Sequence, residues 1–187
     1  MQNIIDYLPI IIYLLMFAGM KLSEHFVLTR PENEIRKSWR DWTVWLILVP
    51  LWLVLIGPVA EYLLLNSRPA AWEMIAGGFL FFAAGFFSIK GYWDLQHGFI
   101  KAIELEDTHL VVTGLYQTVR HPISLGNILF CVSCPLFLAA GPSWIPAIIG
   151  IFGVLLRISI EESSMQEYLS DYQDYKERTW ALIPYIY

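Results

Sequence analysis

The stretch TVRHPISLGN, Thr118 to Asn127, sets an arginine, a histidine and a proline side by side where the chain turns apolar and stays so for about fifteen residues. Charged and hydrogen-bonding side chains at the mouth of an apolar helix are costly unless they are paired or put to use. What faces Arg120 and His121 across the fold therefore decides how the chain is built.

Over its 187 residues the chain is 57% hydrophobic and 16% aromatic, with a mean hydropathy of +0.52; soluble domains average about 45 to 50% apolar. A membrane span needs roughly 17 to 25 mainly apolar residues. Five segments fit: Ile4 to Met20, Thr43 to Leu65, Ala71 to Ile89, Ile123 to Ala140 and Ser143 to Ile160. The reading is an all-α integral membrane protein, a single membrane domain over 1–187, with a three-span scaffold in 1–95 and the functional half in 96–187. The first segment has no basic residue before it, carries Asp6 and runs into Lys21 with no small-residue cleavage site, so it reads as a retained span rather than a signal peptide.

Lys and Arg set orientation because short basic loops stay cytoplasmic. Lys21, Arg30, Arg36, Lys37 and Arg40 follow the first span. Lys90, Lys101 and Arg120 lie between the third and fourth, and Arg157, Lys176 and Arg178 belong to the last stretch. Eleven basic residues thus sit on one side against Arg68 alone on the other, which places the N-terminus outside and the C-terminus in the cytoplasm. Trp39, Trp42, Trp45 and Trp93 fall near the inner boundary, as an interfacial aromatic belt would. The net charge of -5 offers no basic surface for nucleic acid.

Much of the chain reads as scaffold. Glu61, Glu73 and Lys90 lie near span ends, where snorkelling or headgroup contact explains them. Gly77, Gly78, Ala84 and Gly85 recur at a spacing that permits close helix packing, and Gly57-Pro58 suggests a kink. Cys131 and Cys134 read as small buried hydrophobes rather than a redox pair. His97 and His109 have no ligand-spaced acidic or cysteine neighbours, so no metal site is expected. The alternation over Ile103 to Glu106, breaking at Glu106-Asp107, predicts a short cytoplasmic hairpin within Tyr92 to Val119. The tail from Ser163 to Tyr187 predicts an amphipathic helix with Met165, Tyr168, Leu169, Tyr172 and Tyr175 on one side.

The last two spans form the decisive pair. Joined by a tight turn at Gly141-Pro142, they run about eighteen residues each way, about 27 Å at 1.5 Å per residue. Their inner ends therefore return to one depth, bringing Arg120-His121 to Arg157, Glu161 and Glu162 across about forty residues of sequence. Pro122 suits the first turn of a helix. The free N–H groups there, with the positive end of the helix dipole, suit an anion such as a carboxylate. Glu161 and Glu162 offer acceptors for an ammonium or hydroxyls, and Arg157 stands one turn before Glu161 on the same side.

The motifs LVVTGLYQTVRHPISLGNIL and RISIEESSMQEYLSDYQDYKERTWALIP resemble the integral-membrane methyltransferases typified by isoprenylcysteine carboxyl methyltransferase, related to the phospholipid N-methyltransferases. The matches are Gly114, Tyr116, Arg120, His121, Pro122, Arg157, Glu161, Glu162, Tyr172, Tyr175 and Pro184. Ser124, Leu169 and Phe99 depart from the family's tyrosine, glycine and tryptophan. The resemblance implies that S-adenosylmethionine binds at the cytoplasmic helix ends while a lipophilic or prenylated acceptor enters from the bilayer. It makes Gly114, Leu115, Tyr116, Arg120, His121, Pro122, Glu162, Tyr172 and Tyr175 the expected cofactor contacts, with Arg157 and Glu161 on the acceptor side. A carboxylate acceptor comes first, a phospholipid or a small lipophilic amine or thiol second, and a non-catalytic lipid-binding or transport protein stands apart from both.

Overall fold

In the computed structural model the described residues are 4–27, 42–65, 68–104, 112–168 and 171–184. They form six helices: α1 (Leu8–Val27), α2 (Trp42–Leu65), α3 (Ala71–Glu104), α4 (Pro122–Phe137), α5 (Trp144–Tyr168) and the short α6 (Tyr172–Arg178). Single 3-10 turns at Ile4–Tyr7 and Gly114–Gln117 complete the architecture. Among the described residues there is no β-strand, only one isolated parallel bridge between Val119 and Trp180.

Three helices are long and apolar enough to cross a membrane, through Trp45–Leu65, Ala71–Leu95 and Trp144–Glu167. α1 and α4 carry shorter apolar stretches, Leu8–Ser23 and Pro122–Phe137. α4 is briefer than its sequence suggests because Ala139 takes a left-handed φ of 51° and the Ala140 N–H donates back to the Pro135 carbonyl at 2.8 Å, closing the helix early. Its 16 residues rise about 24 Å, short of the roughly 30 Å hydrocarbon layer.

Two expectations need correction. The segment from Tyr92 to Glu104 continues α3 rather than forming the first arm of a hairpin, because the i to i−4 ladder runs on through a stretch too short for alternation to override it. The hairpin's break at Glu106-Asp107 falls outside the described residues, as do Trp39, Arg30, Arg36, Lys37, Arg40, His109 and Leu169. The tail is not one helix. α5 extends to Tyr168, α6 spans only seven residues, and the chain beyond Arg178 bends back toward Thr118.

Glycines set the seams. A Cβ at Gly77 would stand 2.6 Å from the Phe137 backbone nitrogen, one at Gly126 2.9 Å from the Ala84 carbonyl, and one at Gly91 2.9 Å from Ile123. These contacts register α3 antiparallel to α4 along its length and bring the C-terminal part of α3 to the start of α4. The same device joins α2 to α5: a Cβ at Gly153 would lie 2.8 Å from the Leu46 carbonyl, which Pro50, lacking an N–H, leaves open four residues on. Tyr13 of α1, fully buried, donates its hydroxyl to the Leu55 carbonyl at 3.0 Å and reaches, at 3.5 Å, the Val54 carbonyl that Pro58 leaves without its helical donor.

Some groups read as scaffold have specific partners. Ser143 in the α4–α5 turn donates to Glu61, over Gly57, where a Cβ would meet the serine oxygen. Glu73 accepts the Ala70 N–H at 2.6 Å at the start of α3, a capping contact rather than headgroup contact.

The four small residues of α3 are not equivalent, and this is measurable. Gly77→Ala should lower thermal stability in detergent by about 1–3 kcal/mol through overpacking against Phe137. Gly85→Ala, with nothing within 4 Å of its Cβ, should be neutral or slightly stabilising. Equal effects at both positions would contradict the seam.

Candidate functional site

The backbone places the site before any side chain does. Residues 118–121 pair with the tail: the Arg120 N–H donates to the Trp180 carbonyl at 2.8 Å, the His121 N–H to Ala181 at 3.1 Å, and the Trp180 N–H to Thr118 at 3.0 Å. Leu182 then enters an apolar cluster with Leu125, Val154 and Ile158, fixing the tail to both α4 and α5. Pro122 opens α4 as its first residue, and the His121 side chain does not cap it, so the imidazole is left to face α5.

Arg120 is the hub. Its Nε donates to Glu162 Oε1 at 2.8 Å, while Nη1 donates to the Lys176 carbonyl at 3.2 Å and to the Thr179 carbonyl. The two side chains are largely covered, 7% and 14% exposed, so the pair is partly shielded from solvent screening. Lys176 Nζ completes the carboxylate from the other side, 3.2 Å from Oε2. Beside it, Arg157 Nε donates to Glu161 Oε1 at 2.6 Å, one turn apart on α5 as the spacing requires. His121 lies between the two acids, Nδ1 3.7 Å from Glu161 and Nε2 3.4 Å from Glu162.

The second wall is the turn at Gly114–Gln117. Gly114 adopts φ +61°, a left-handed conformation that side chains resist, and a Cβ there would lie 2.1 Å from Asp94 Oδ2. That carboxylate accepts the Leu115 N–H at 2.8 Å and pairs with Lys90 at 2.5 Å. Tyr116 is buried, its carbonyl accepting the Tyr175 hydroxyl at 2.8 Å. The Tyr175 ring in turn packs against Tyr172, 6.0 Å between centroids.

Electrostatics assign protonation states. Burial pulls the His121 pKa below its ordinary 6.5, against the upward pull of Glu161 and Glu162, so the imidazole is neutral at pH 7. Burial raises Tyr116, and pushes Tyr172 and Tyr175 up to about 12, so all three phenols keep their protons and serve as donors. Besides Glu61 Oε2 at the opposite end, two buried polar atoms, His121 Nε2 and the Tyr172 hydroxyl, have no well-aligned hydrogen-bond partner among the described residues. Both belong to the Arg120–Glu162 cluster, and orphans of this kind mark a place that a ligand or water completes.

Every site residue expected from the sequence falls in this one region: Arg157, Glu161, Glu162, Arg120, His121 and Pro122 around the ion pairs, Gly114, Leu115, Tyr116, Tyr172 and Tyr175 at the adjoining wall. Asp94, Lys176 and Thr179 were not foreseen. The one signal for Asp94 is an acid near the C-terminal end of an apolar stretch, with a lysine one turn before it; the Lys176 and Thr179 contacts depend on the tail's fold-back. Among the described residues no group of His, Cys, Asp and Glu is arranged to hold a metal ion.

A helical membrane protein with a buried arginine–glutamate–histidine cluster at converging helix ends is the class that fold and site define. The chain belongs to the phospholipid methyltransferase family, whose model matches residues 72–171, and that family contains the isoprenylcysteine carboxyl methyltransferases. It is thereby a membrane methyltransferase. The match spans α3 to the end of α5, so Tyr172 and Tyr175 lie beyond it. No curated protein and no solved structure matches the chain significantly.

Removing one partner of a buried ion pair strands the other. Glu162→Ala should cost about 3–5 kcal/mol of stability and expose the tail after Tyr168 to limited proteolysis; an unchanged melting temperature and cleavage pattern would contradict the hub. Because the folded protein releases the His121 proton more readily than the unfolded chain, stability is held above pH 6.5 and falls as pH drops below that value. Melting curves of His121→Gln should lose that part of the pH dependence, and an identical slope in the variant would show the histidine to be uninvolved.

Proposed function

We propose that this membrane methyltransferase carries a methyl group from S-adenosylmethionine to a lipophilic acceptor at the cytoplasmic boundary of the bilayer, the favoured acceptor being an isoprenylcysteine-type carboxylate. The observation that carries the reading is the convergence of Arg120, His121 and Glu162 beside the Arg157–Glu161 pair.

The residues present fit the donor. The uncapped first turn of α4 suits its carboxylate. Glu162 keeps lone pairs beyond those taken by Arg120 and Lys176, which suits its ammonium. The orphaned His121 Nε2 and Tyr172 hydroxyl supply hydrogen bonds in want of a partner. Leu115, Tyr116 and Tyr175 offer an apolar wall for its base, with Gly114 shaping the turn and Pro122 opening the helix. When bound, S-adenosylmethionine supplies a methyl group on a cationic sulfonium.

The acceptor side follows from charge. Three basic groups, Arg120, Arg157 and Lys176, gather at this cluster beside Glu161 and Glu162, with His121 neutral. That favours an anionic acceptor over an ammonium. Arg157, its Nε fixed by Glu161, has a planar fork suited to orienting a carboxylate. A carboxylate has no proton to lose, so the residues need only position it and exclude water. The family's phospholipid methyltransferase name supports a second reading, an amine acceptor, in which His121 or Glu161 would take the proton.

For topology we favour five crossings, α1 and α4 joining the three longer helices, with the N-terminus outside and the site facing the cytoplasm. Basic residues crowding one side support this, and a short α4 is accommodated by local thinning with Arg120 and His121 at the boundary.

Purified protein in detergent should bind S-adenosylmethionine and transfer labelled methyl to prenylated cysteine carboxylates. Glu162→Ala and His121→Ala should each weaken donor binding at least about tenfold, the scale of one charged hydrogen bond. Absence of donor binding by the wild type would overturn the enzyme reading, and methylation of phospholipid or other amines alone would overturn the carboxylate.

A further inference from the structure

We infer that Asp94 is a positioning residue for the donor pocket: its carboxylate holds the Gly114–Leu115 corner in place, and through that corner the Tyr116–Tyr175 wall. The inference rests on the donor reading above and adds a residue that neither the motifs nor the ion-pair cluster includes.

The geometry is specific. Asp94 is an acid buried to 6% exposure near the inner end of an apolar helix, an expensive placement that calls for a partner on each oxygen. It has both. Oδ2 accepts the Leu115 N–H at 2.8 Å, and Oδ1 takes the Lys90 ammonium one turn back on the same helix. The corner is shaped to this carboxylate. Gly114 at φ +61° brings the backbone so close that any side chain would collide with the carboxyl oxygens. Beyond the corner, the Tyr116 carbonyl receives the Tyr175 hydroxyl, so one carboxylate on α3 sets a turn that in turn seats α6.

These contacts run from α3 through the corner to Tyr116 and Tyr175, whereas Arg157 donates to Glu161 on α5. Asp94 should therefore govern donor affinity and leave acceptor handling alone. Lys90, with its side chain 43% exposed, neutralises the carboxylate without making the corner contact. The amide of Asp94→Asn can present its oxygen to the Leu115 N–H while Lys90 swings into water, so the isosteric variant keeps the clamp; Asp94→Ala removes it.

The test measures S-adenosylmethionine binding by calorimetry on the full chain in detergent, with initial rates at varied donor and acceptor, for wild type, Asp94→Asn, Asp94→Ala and Gly114→Ala. Asp94→Ala should weaken donor binding by about tenfold or more, the scale of one charged hydrogen bond. Its acceptor KM and its kcat at saturating donor should stay within about threefold of wild type, since the interaction lost binds donor uniformly rather than the transition state. Asp94→Asn should restore donor binding to within about threefold. Unchanged donor affinity in Asp94→Ala overturns the inference, and so does Asp94→Asn binding as weakly as Asp94→Ala, or a loss that falls on kcat. If Asp94→Ala fails to fold, Gly114→Ala carries the test: it should weaken donor binding comparably, and unchanged affinity overturns the inference. Wild-type protein that binds no donor would instead remove the donor reading itself.

Discussion

The pair between Arg120 and Glu162 is the contact on which the site-bearing end of the molecule depends. A guanidinium held at the mouth of an apolar helix is tolerable only if its donors are met, and here one acid on α5 and the carbonyls of Lys176 and Thr179 in the tail meet them. Three segments far apart in sequence are thereby tied at one point. His121 follows from its neighbour's placement: with Arg120 turned to Glu162 and the backbone paired to Trp180 and Ala181, the imidazole comes to rest between the two acids.

Helix packing sets the stage for that contact. The glycine seams fix the registers of α3 against α4 and of α2 against α5, and registers decide which residues arrive at that end together. Gly91 brings α3 against Pro122 and Ile123, which puts Asp94 one turn further on, level with the corner at Gly114. The polar chemistry is thus collected by apolar packing, and at the opposite end the same packing sets Ser143 on Glu61.

The Arg-His-Pro and Glu-Glu motifs were readable as partners because two apolar runs joined by a short turn must return to one depth, whatever the details of the turn. Arg157 and Glu161 were readable from helical spacing alone. Asp94 was not, because its partner is a backbone N–H whose position depends on a left-handed glycine in a separate turn, and spacing carries no trace of such a contact. The alternation starting at Ile103 misled for a related reason: so short a run cannot distinguish a strand from a helix, and its described residues, Ile103 and Glu104, belong to α3. The tail misled because an apolar stripe fits both a continuous helix and the actual path, a short helix followed by a return that inserts Leu182 into the core.

The central claim is that residues 116–121, the paired acids of α5 and the returning tail enclose one ligand. Hydrogen–deuterium exchange on the purified protein, with and without S-adenosylhomocysteine as the unreactive donor product, tests it most directly. The account predicts slower exchange in both 116–121 and 172–182 on adding the ligand. Protection of neither segment, or of only one, would contradict a shared pocket.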